Sequence, residues 1–301
     1  MVDEGRENVE DAANGQNDHG AANGQNVEGA EDAANVAVRL DVALAARGLA
    51  RSRSHAVTII AEGMVTVDGH AAMRPSVKVG ETQVIVVAGA DQYVSRGAHK
   101  LIAALDAFGL PVEGRTALDV GASTGGFSQV LLERGAAEVI AVDVGHGQLA
   151  PSLAGEPRLL SFEGVNARAL TAEVLTGLVG RPVHPDLVVG DISFISLTQV
   201  LPALVETAQE GADFVLLVKP QFEVGRTGIK EGIVRDPVLR CEAVTNVLWA
   251  AHDLGVGTAG FVASPITGSQ GNLEYLVWLS STVGTNPTEW LSKVEAVTLR
   301  N

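Results

Sequence analysis

The sequence predicts an α/β protein: a small module of short helices and strands, then a doubly wound, mostly parallel sheet with an antiparallel last strand. Three observations predict it. The stretch A-L-D-V-G-A-S-T-G-G-F (Ala117–Phe127) runs from an apolar strand through crowded glycines into a helical pattern. Beyond it, apolar runs alternate with helical segments, as strands buried on both faces require. Near the C-terminus, Thr258–Ala263 and Tyr275–Leu279 lie either side of a Pro/Gly-bearing stretch, a hairpin-like pair rather than another parallel unit.

Residues 1–35 are polar, rich in Gly, Ala, Asn and acids, and repeat A-A-N-G-Q-N at Ala12–Asn17 and Ala21–Asn26. With few large apolar residues to bury, they read as a disordered acidic tail. The tail carries about −8 of the net charge of −15. Residues 36–90 carry six Lys/Arg against four acids, so the module that follows is locally basic. The single cysteine, Cys241, offers neither a disulfide framework nor a Cys-based zinc site, and no metal centre is expected. No apolar run reaches the ~20 residues of a membrane span. No basic, apolar leader opens the chain, and a cytoplasmic location is expected.

Arg39–Leu44 reads as a helix stopped by Gly48, and Ser52–Ala56 opens a second helix running through Ile60 to Gly63. Met64–Gly69 is a strand into a turn, and Thr82–Val87 a further strand. Arg39, Arg47, Arg51 and Arg53 cluster on the helical part. The pattern R-L-D-x-x-L-x-x-x-G-L-A-x-S-R-x-x-A followed by G-x-V-x-V-D-G resembles the S4 RNA-binding domain. The arginines, with Arg51 and Arg53 foremost, are the expected phosphate ligands, because guanidinium suits bidentate contacts.

Residues 91–97 read as a linker that contains Arg96, a further expected RNA contact, and residues 98–301 as one catalytic domain. A helix through Phe108 opens it. Helices are expected at Gln129–Arg134, Gln148–Leu153, Ala172–Leu178, Leu197–Glu206 and Asp236–Leu254. They follow the apolar run that ends in Asp119 and separate strands at Glu138–Val142, Leu159–Phe162, Leu187–Gly190 and Phe214–Val218. Glycines let a ligand approach the backbone, and a helix N-terminus offers free N–H groups. About 24 residues on, A-E-V-I-A-V-D ends in Asp143, a carboxylate suited to the ribose hydroxyls of an adenosine-bearing cofactor. The spacing Gly121, Gly125, Gly126 departs from G-x-G-x-x-G, and a dehydrogenase would continue with parallel units. S-adenosylmethionine is therefore expected over NAD, with Asp119, Gly121, Ala122, Ser123, Thr124, Gly125, Gly126, Phe127, Asp143, Asn166 and Asp191 around it.

Ligands in open α/β sheets sit beyond the C-terminal strand ends. There the sequence places Asp191 and Lys219, with Glu274 leading into the antiparallel strand and Lys100 on the preceding helix. The chain resembles the TlyA family of ribosomal-RNA 2′-O-methyltransferases, an S4 domain fused to an FtsJ-like methyltransferase. The matching stretches are V-S-R-G-A-H-K-L, L-D-V-G-A-S-T-G-G-F, D-V-G-H-G-Q-L-A, D-I-S-F-I-S-L, L-V-K-P-Q-F-E-V-G and G-N-L-E-Y. The resemblance implies a catalytic tetrad of Lys100, Asp191, Lys219 and Glu274, S-adenosylmethionine as donor, and cytidine ribose in small- and large-subunit RNA as acceptor. It also brings a haemolysin-like label, although no amphipathic or spanning segment supports a membrane-active protein. A non-catalytic RNA-binding or assembly protein is the third reading. Arg226–Arg235 reads as a mobile basic loop able to close over RNA.

Overall fold

In a computed structural model, placement is described for residues 37–50, 52–61, 63–87, 93–225, 228–268 and 270–299. The acidic stretch 1–35 and Arg51 lie outside the described residues. The chain divides into two compact units, Met1–Ala90 and Asp91–Asn301.

In the first unit, α1 (Leu40–Ala46) and α2 (Arg53–Ala61) close over two small sheets. Strands β2 (Val65–Val67), β3 (His70–Ala71) and β5 (Ile85–Val87) pair antiparallel in the order β3-β2-β5. Strand β1 (Val38–Arg39) pairs with β4 (Lys78–Val79). The unit has its own core of Leu40, Leu44, Ile59, Ile60, Val65, Val79 and Val87. Alternation supplies it: in β2 and β5 the first and third residues point inward and the middle one outward. The expected strand Thr82–Val87 is shorter in the structure because Glu81–Gln83 turn, with the Gly80 N–H bonded to the Gln83 side chain. The two-residue strands β1, β3 and β4 escape sequence reading because they are too short to show a period.

The second unit is a seven-stranded sheet. Strands β6 (Thr116–Val120), β7 (Glu138–Asp143), β8 (Leu159–Glu163), β9 (Leu187–Gly190) and β10 (Asp213–Val218) are parallel. With β11 (Gly257–Ala263) and β12 (Tyr275–Ser280) the order is β11-β12-β10-β9-β6-β7-β8, and β12 runs antiparallel to both of its neighbours. The last strand is thus inserted between β10 and β11 and does not extend the edge.

Successive residues of one strand serve opposite cores. Ala117 packs under α3 (Ala98–Phe108) and α4 (Gly126–Glu133). Leu118 packs toward α5 (Ala172–Val179), α6 (Leu197–Thr207), α8 (Pro237–Asp253) and α9 (Leu291–Thr298). The expected helix Gln148–Leu153 is a correction. Only Pro151–Leu153 winds, as a single 3-10 turn, because Gly145 and Gly147 precede it and Ala150 is extended ahead of Pro151. Two helices were not foreseen: α7 (Pro220–Glu223), a single turn, and α9. The described part of the expected linker packs within this unit, since the Val94 N–H donates to Gln129 and Ser95 sits against Gly126.

In the first unit, Arg47 donates to the carbonyls of Gln83 at 2.7 Å and Gly80 at 2.6 Å, stapling the turn before β5. Arg47→Ala is expected to cost that turn about 1 kcal/mol. Amide exchange across residues 78–87, followed by mass spectrometry, should accelerate about fivefold.

Candidate active site

The C-terminal ends of β6, β7, β9 and β10 meet at one edge of the sheet, and the start of β12 joins them because that strand runs the other way. Chain direction alone therefore gathers Asp191 after β9, Lys219 after β10 and Glu274 before β12. Lys100 comes from the first turn of α3. Pro220 shapes the Lys219 position: it enters α7 at the first helical residue and keeps Lys219 extended (φ −112°, ψ 100°).

The four side chains form one ion-pair cluster. Lys100 Nζ donates to Glu274 Oε2 at 2.7 Å and to Asp191 Oδ2 at 3.3 Å. Lys219 Nζ lies 2.5 Å from Asp191 Oδ1 and donates to Ser193 Oγ at 2.7 Å. Lys100, Lys219 and Glu274 are all buried. Burial favours the neutral form of Asp191, but Lys219 and Lys100 overcome it and hold the carboxyl below the ordinary carboxylate range.

A cavity of about 450 Å³ opens beside the cluster, within the range of small-ligand sites. Of the expected cofactor residues, Gly121, Ser123, Asp143, Asn166 and Asp191 line it, so Asp191 belongs to both cavity and cluster. At the turn, Gly121 has φ +79°, and an added Cβ would stand 3.2 Å from the Asp191 carbonyl oxygen. Asp143 accepts from the Ser123 N–H at 2.8 Å and the Gly145 N–H at 2.7 Å, which fixes its carboxylate at the cavity wall. Asn166 accepts from the Arg168 N–H at 3.0 Å.

Asp119, Ala122, Thr124, Gly125, Gly126 and Phe127 do not line this cavity. Gly125 is roofed by Leu149 and Leu153, Thr124 accepts from the Ala150 N–H, and Phe127 is buried under the sheet. Asp119 is 1% exposed and accepts from Ser128 Oγ at 2.6 Å, while its other carboxylate oxygen has no partner. Burial, opposed by the Ser128 bonds and reinforced by the charges of Asp191 and Asp143, pushes its pKa up to about 7.

Sequence reasoning passed over Ser193, Phe194, Gln148, Arg168 and Glu223. Phe194 is 91% exposed at φ +67°, a left-handed conformation that costs a non-glycine residue energy, and its ring meets that of Phe222 at 5.4 Å, tilted by 48°. Glu223 accepts from the Leu197 N–H at 2.8 Å and from the Ser196 hydroxyl, tying α7 to the start of α6; burial raises its pKa. The stretches D-I-S-F and K-P-Q-F-E were visible in the sequence. What these residues touch depends on how the two turns pack.

In the first unit, Arg39 and Arg53 both clasp Asp41, at 2.9 Å each. Their hydrogen bonds, Arg39 first and then Arg53, hold the Asp41 pKa down to about 2. Both guanidinium groups stay largely exposed, aimed by the buried carboxylate. Arg47 is committed to the backbone, as described above. Arg96 is exposed in the second unit.

A parallel sheet with one antiparallel strand beside its edge, a glycine turn and an acid closing the next strand define the class: a methyltransferase built on the nucleotide-binding α/β plan. Residues 93–281 match the FtsJ-like methyltransferase family model and residues 38–85 the S4 domain model. The chain is 51% identical over 244 residues to the 16S/23S rRNA (cytidine-2′-O)-methyltransferase TlyA of Mycobacterium tuberculosis, covering 80% of this chain and 89% of that protein. It is 39% identical to Hemolysin A of Brachyspira hyodysenteriae, covering 79% and 98%. A solved structure from Streptococcus thermophilus, described as a hemolysin, shares 37% identity at a TM-score of 0.67, covering 86% of this chain and 94% of that one. The chain belongs to the TlyA branch of the FtsJ-like methyltransferases. Among the described residues no helix is long and apolar enough to cross a membrane.

Asp119 makes stability depend on pH. Its folded pKa of about 7 lies above the ~3.9 of an unfolded aspartate, so the folded state holds the extra proton between those values. Wild type should therefore lose stability relative to Asp119→Asn as pH rises from about 4 to about 7, with a constant gap above that. Urea unfolding of both proteins at pH 5 and pH 8 measures the difference.

Proposed function

We propose that the chain methylates a ribose 2′-hydroxyl of ribosomal RNA, with S-adenosylmethionine as donor and cytidine in 16S and 23S RNA as target. The observation that carries this reading is Asp191, which lines the cavity and pairs with both buried lysines. A methyl donor and its acceptor must meet at one point, and one carboxylate spans the two compartments.

The cavity residues fit the donor. Asp143 suits the ribose hydroxyls. The Asn166–Arg168 segment offers backbone and side-chain polar groups to the adenine. Gly121, at φ +79°, lets the turn lie close against the Asp191 backbone at the cavity wall, and Asp191 suits a positively charged centre. Bound there, S-adenosylmethionine supplies an electrophilic methyl group. Lys219 steers the 2′-hydroxyl while protonated and takes its proton only after releasing its own to solvent, so that alkoxide character develops beside a cation. Asp191 and Ser193 hold Lys219 in place, while Lys100 and Glu274 position the ribose. Phe194 offers an aromatic face at the cavity mouth where a nucleobase can stack. In the S4 module, Arg39 and Arg53, aimed by Asp41, present N–H groups to RNA phosphates, with Arg51 and Arg96 as further contacts. Arg47 contributes mainly by holding the module's shape. On this reading the substrate is ribosomal RNA, free or assembled with ribosomal proteins, and the enzyme works in the cytoplasm.

The test is transfer of tritiated methyl from S-adenosylmethionine to ribosomal subunits that lack the modification. Wild type should place label in 2′-O-methylcytidine. Lys219→Ala should lower the rate by about 10²–10⁴-fold, the usual worth of a positioned proton acceptor. Wild-type label in a base, or a Lys219→Ala enzyme as fast as wild type, would overturn the assignment.

A further inference from the structure

The expected mobile loop contains a built hairpin. Lys230 and Ile233 exchange backbone hydrogen bonds at 3.0 and 2.9 Å, and the residues between them, Glu231 and Gly232, have φ of +53° and +81°. Positive φ at both central positions defines the type I′ turn, the tight connection that suits strand twist. Arg235 closes back on Glu231 at 3.2 Å, so among the described residues of this hairpin the exposed cation without an ion pair is Lys230.

One side chain fastens the hairpin to the active site. Asn272 is 2% exposed, and both ends of its amide are engaged: Oδ1 accepts from the Val234 N–H at 3.0 Å and Nδ2 donates to the Gly232 carbonyl at 2.8 Å. It thus pairs with the hairpin much as a neighbouring strand would. Asn272 lies two residues before Glu274. Its own carbonyl accepts from the Gly268 N–H at 2.9 Å, and Gly268 in turn lies so near the Glu274 carboxylate that an added Cβ would stand 2.5 Å from Oε1. Beneath, Arg240 donates to the carbonyl of Arg235 at 2.9 Å and to that of Thr298 at 3.1 Å, fixing the end of the segment to α9. The hairpin and the tetrad acid are therefore held by one short run of backbone, and Asn272 is the link.

We propose that Asn272 is a positioning residue for RNA. By latching the 230–233 hairpin to the backbone that leads through Glu274 into β12, it places Lys230 against a backbone phosphate beside the target ribose. The inference rests on the RNA-methyltransferase reading above. A backbone phosphate suits a lone exposed ammonium, and such a contact fixes register without reading sequence. Asn272 does not line the cavity, so the latch acts on the RNA and leaves the cofactor alone.

The experiment measures, for wild type, Lys230→Ala, Asn272→Ala and the double variant, three quantities: KM for ribosomal subunits, its dependence on salt, and S-adenosylmethionine affinity by calorimetry. Lys230→Ala should raise KM about fivefold and remove about one unit from the log–log salt slope. Asn272→Ala should do the same with cofactor affinity within about twofold of wild type, and the double variant should be no worse than Asn272→Ala. Additive effects, an unchanged salt slope, or parallel loss of cofactor binding would overturn the latch. Should Asn272→Ala not fold, Asn272→Asp keeps the volume and the acceptor for Val234 while losing the donor to Gly232, and the same comparison applies. Absence of methyl transfer by wild type sinks the underlying reading; wild-type transfer with Asn272→Ala kinetics unchanged sinks the latch alone.

Discussion

The active-site edge is organised by a carboxylate that faces two ways. Taking Asp191 out of water is costly, and a single lysine would leave part of that cost unmet. Two lysines, one on each oxygen, hold it ionised. Each lysine then needs its own support, which Glu274 gives to Lys100 and Ser193 to Lys219. The result is a closed arrangement of two cations and two anions. Removing one member leaves a buried charge unpaired, so the cluster stands or fails as a unit. The sheet serves this arrangement. Inserting β12 antiparallel beside β10 brings Glu274 to the edge where the parallel strands end.

The alternation of strands and helices and the meeting of the four charged residues were legible because both follow from where apolar runs stop. In V-V-G-D, L-L-V-K and L-E-Y-L, a charge at the end of a buried run has few places to go other than the sheet edge. Less legible were residues whose role depends on a neighbour far along the chain. Asp119 looks like a cofactor ligand from its place before Gly121, yet it points beneath the turn to Ser128, nine residues on. Gly125 looks like a cradle glycine, but the Leu149–Leu153 segment covers it, and that segment reads as a helix until Gly145, Gly147 and Pro151 are weighed. Arg47 cannot be told from Arg53 by sequence. One ties down a turn, and the other is aimed by Asp41.

The relatives carry two kinds of name, methyltransferase and hemolysin, at comparable coverage. The physical features of this chain side with the former. Each unit closes a core of its own, and a cluster of buried charges from four elements lies at one sheet edge. An ion-pair cluster built from four separate elements is costly to assemble and has no use in a lytic surface.

Because Asp191 is shared, occupancy of the cavity and order in the cluster are reciprocal. A cation in the cavity competes with Lys100 and Lys219 for the same carboxylate, whereas a neutral ligand does not. On the proposed function, the site thereby favours, by electrostatics, a sulfonium donor over the thioether it becomes, without any change in shape. On the same proposal, RNA bound at Lys219 and a ligand in the cavity change each other's affinity by one common factor. The four-residue cluster is in this sense a balance between two binding steps, with Asp191 as its pivot.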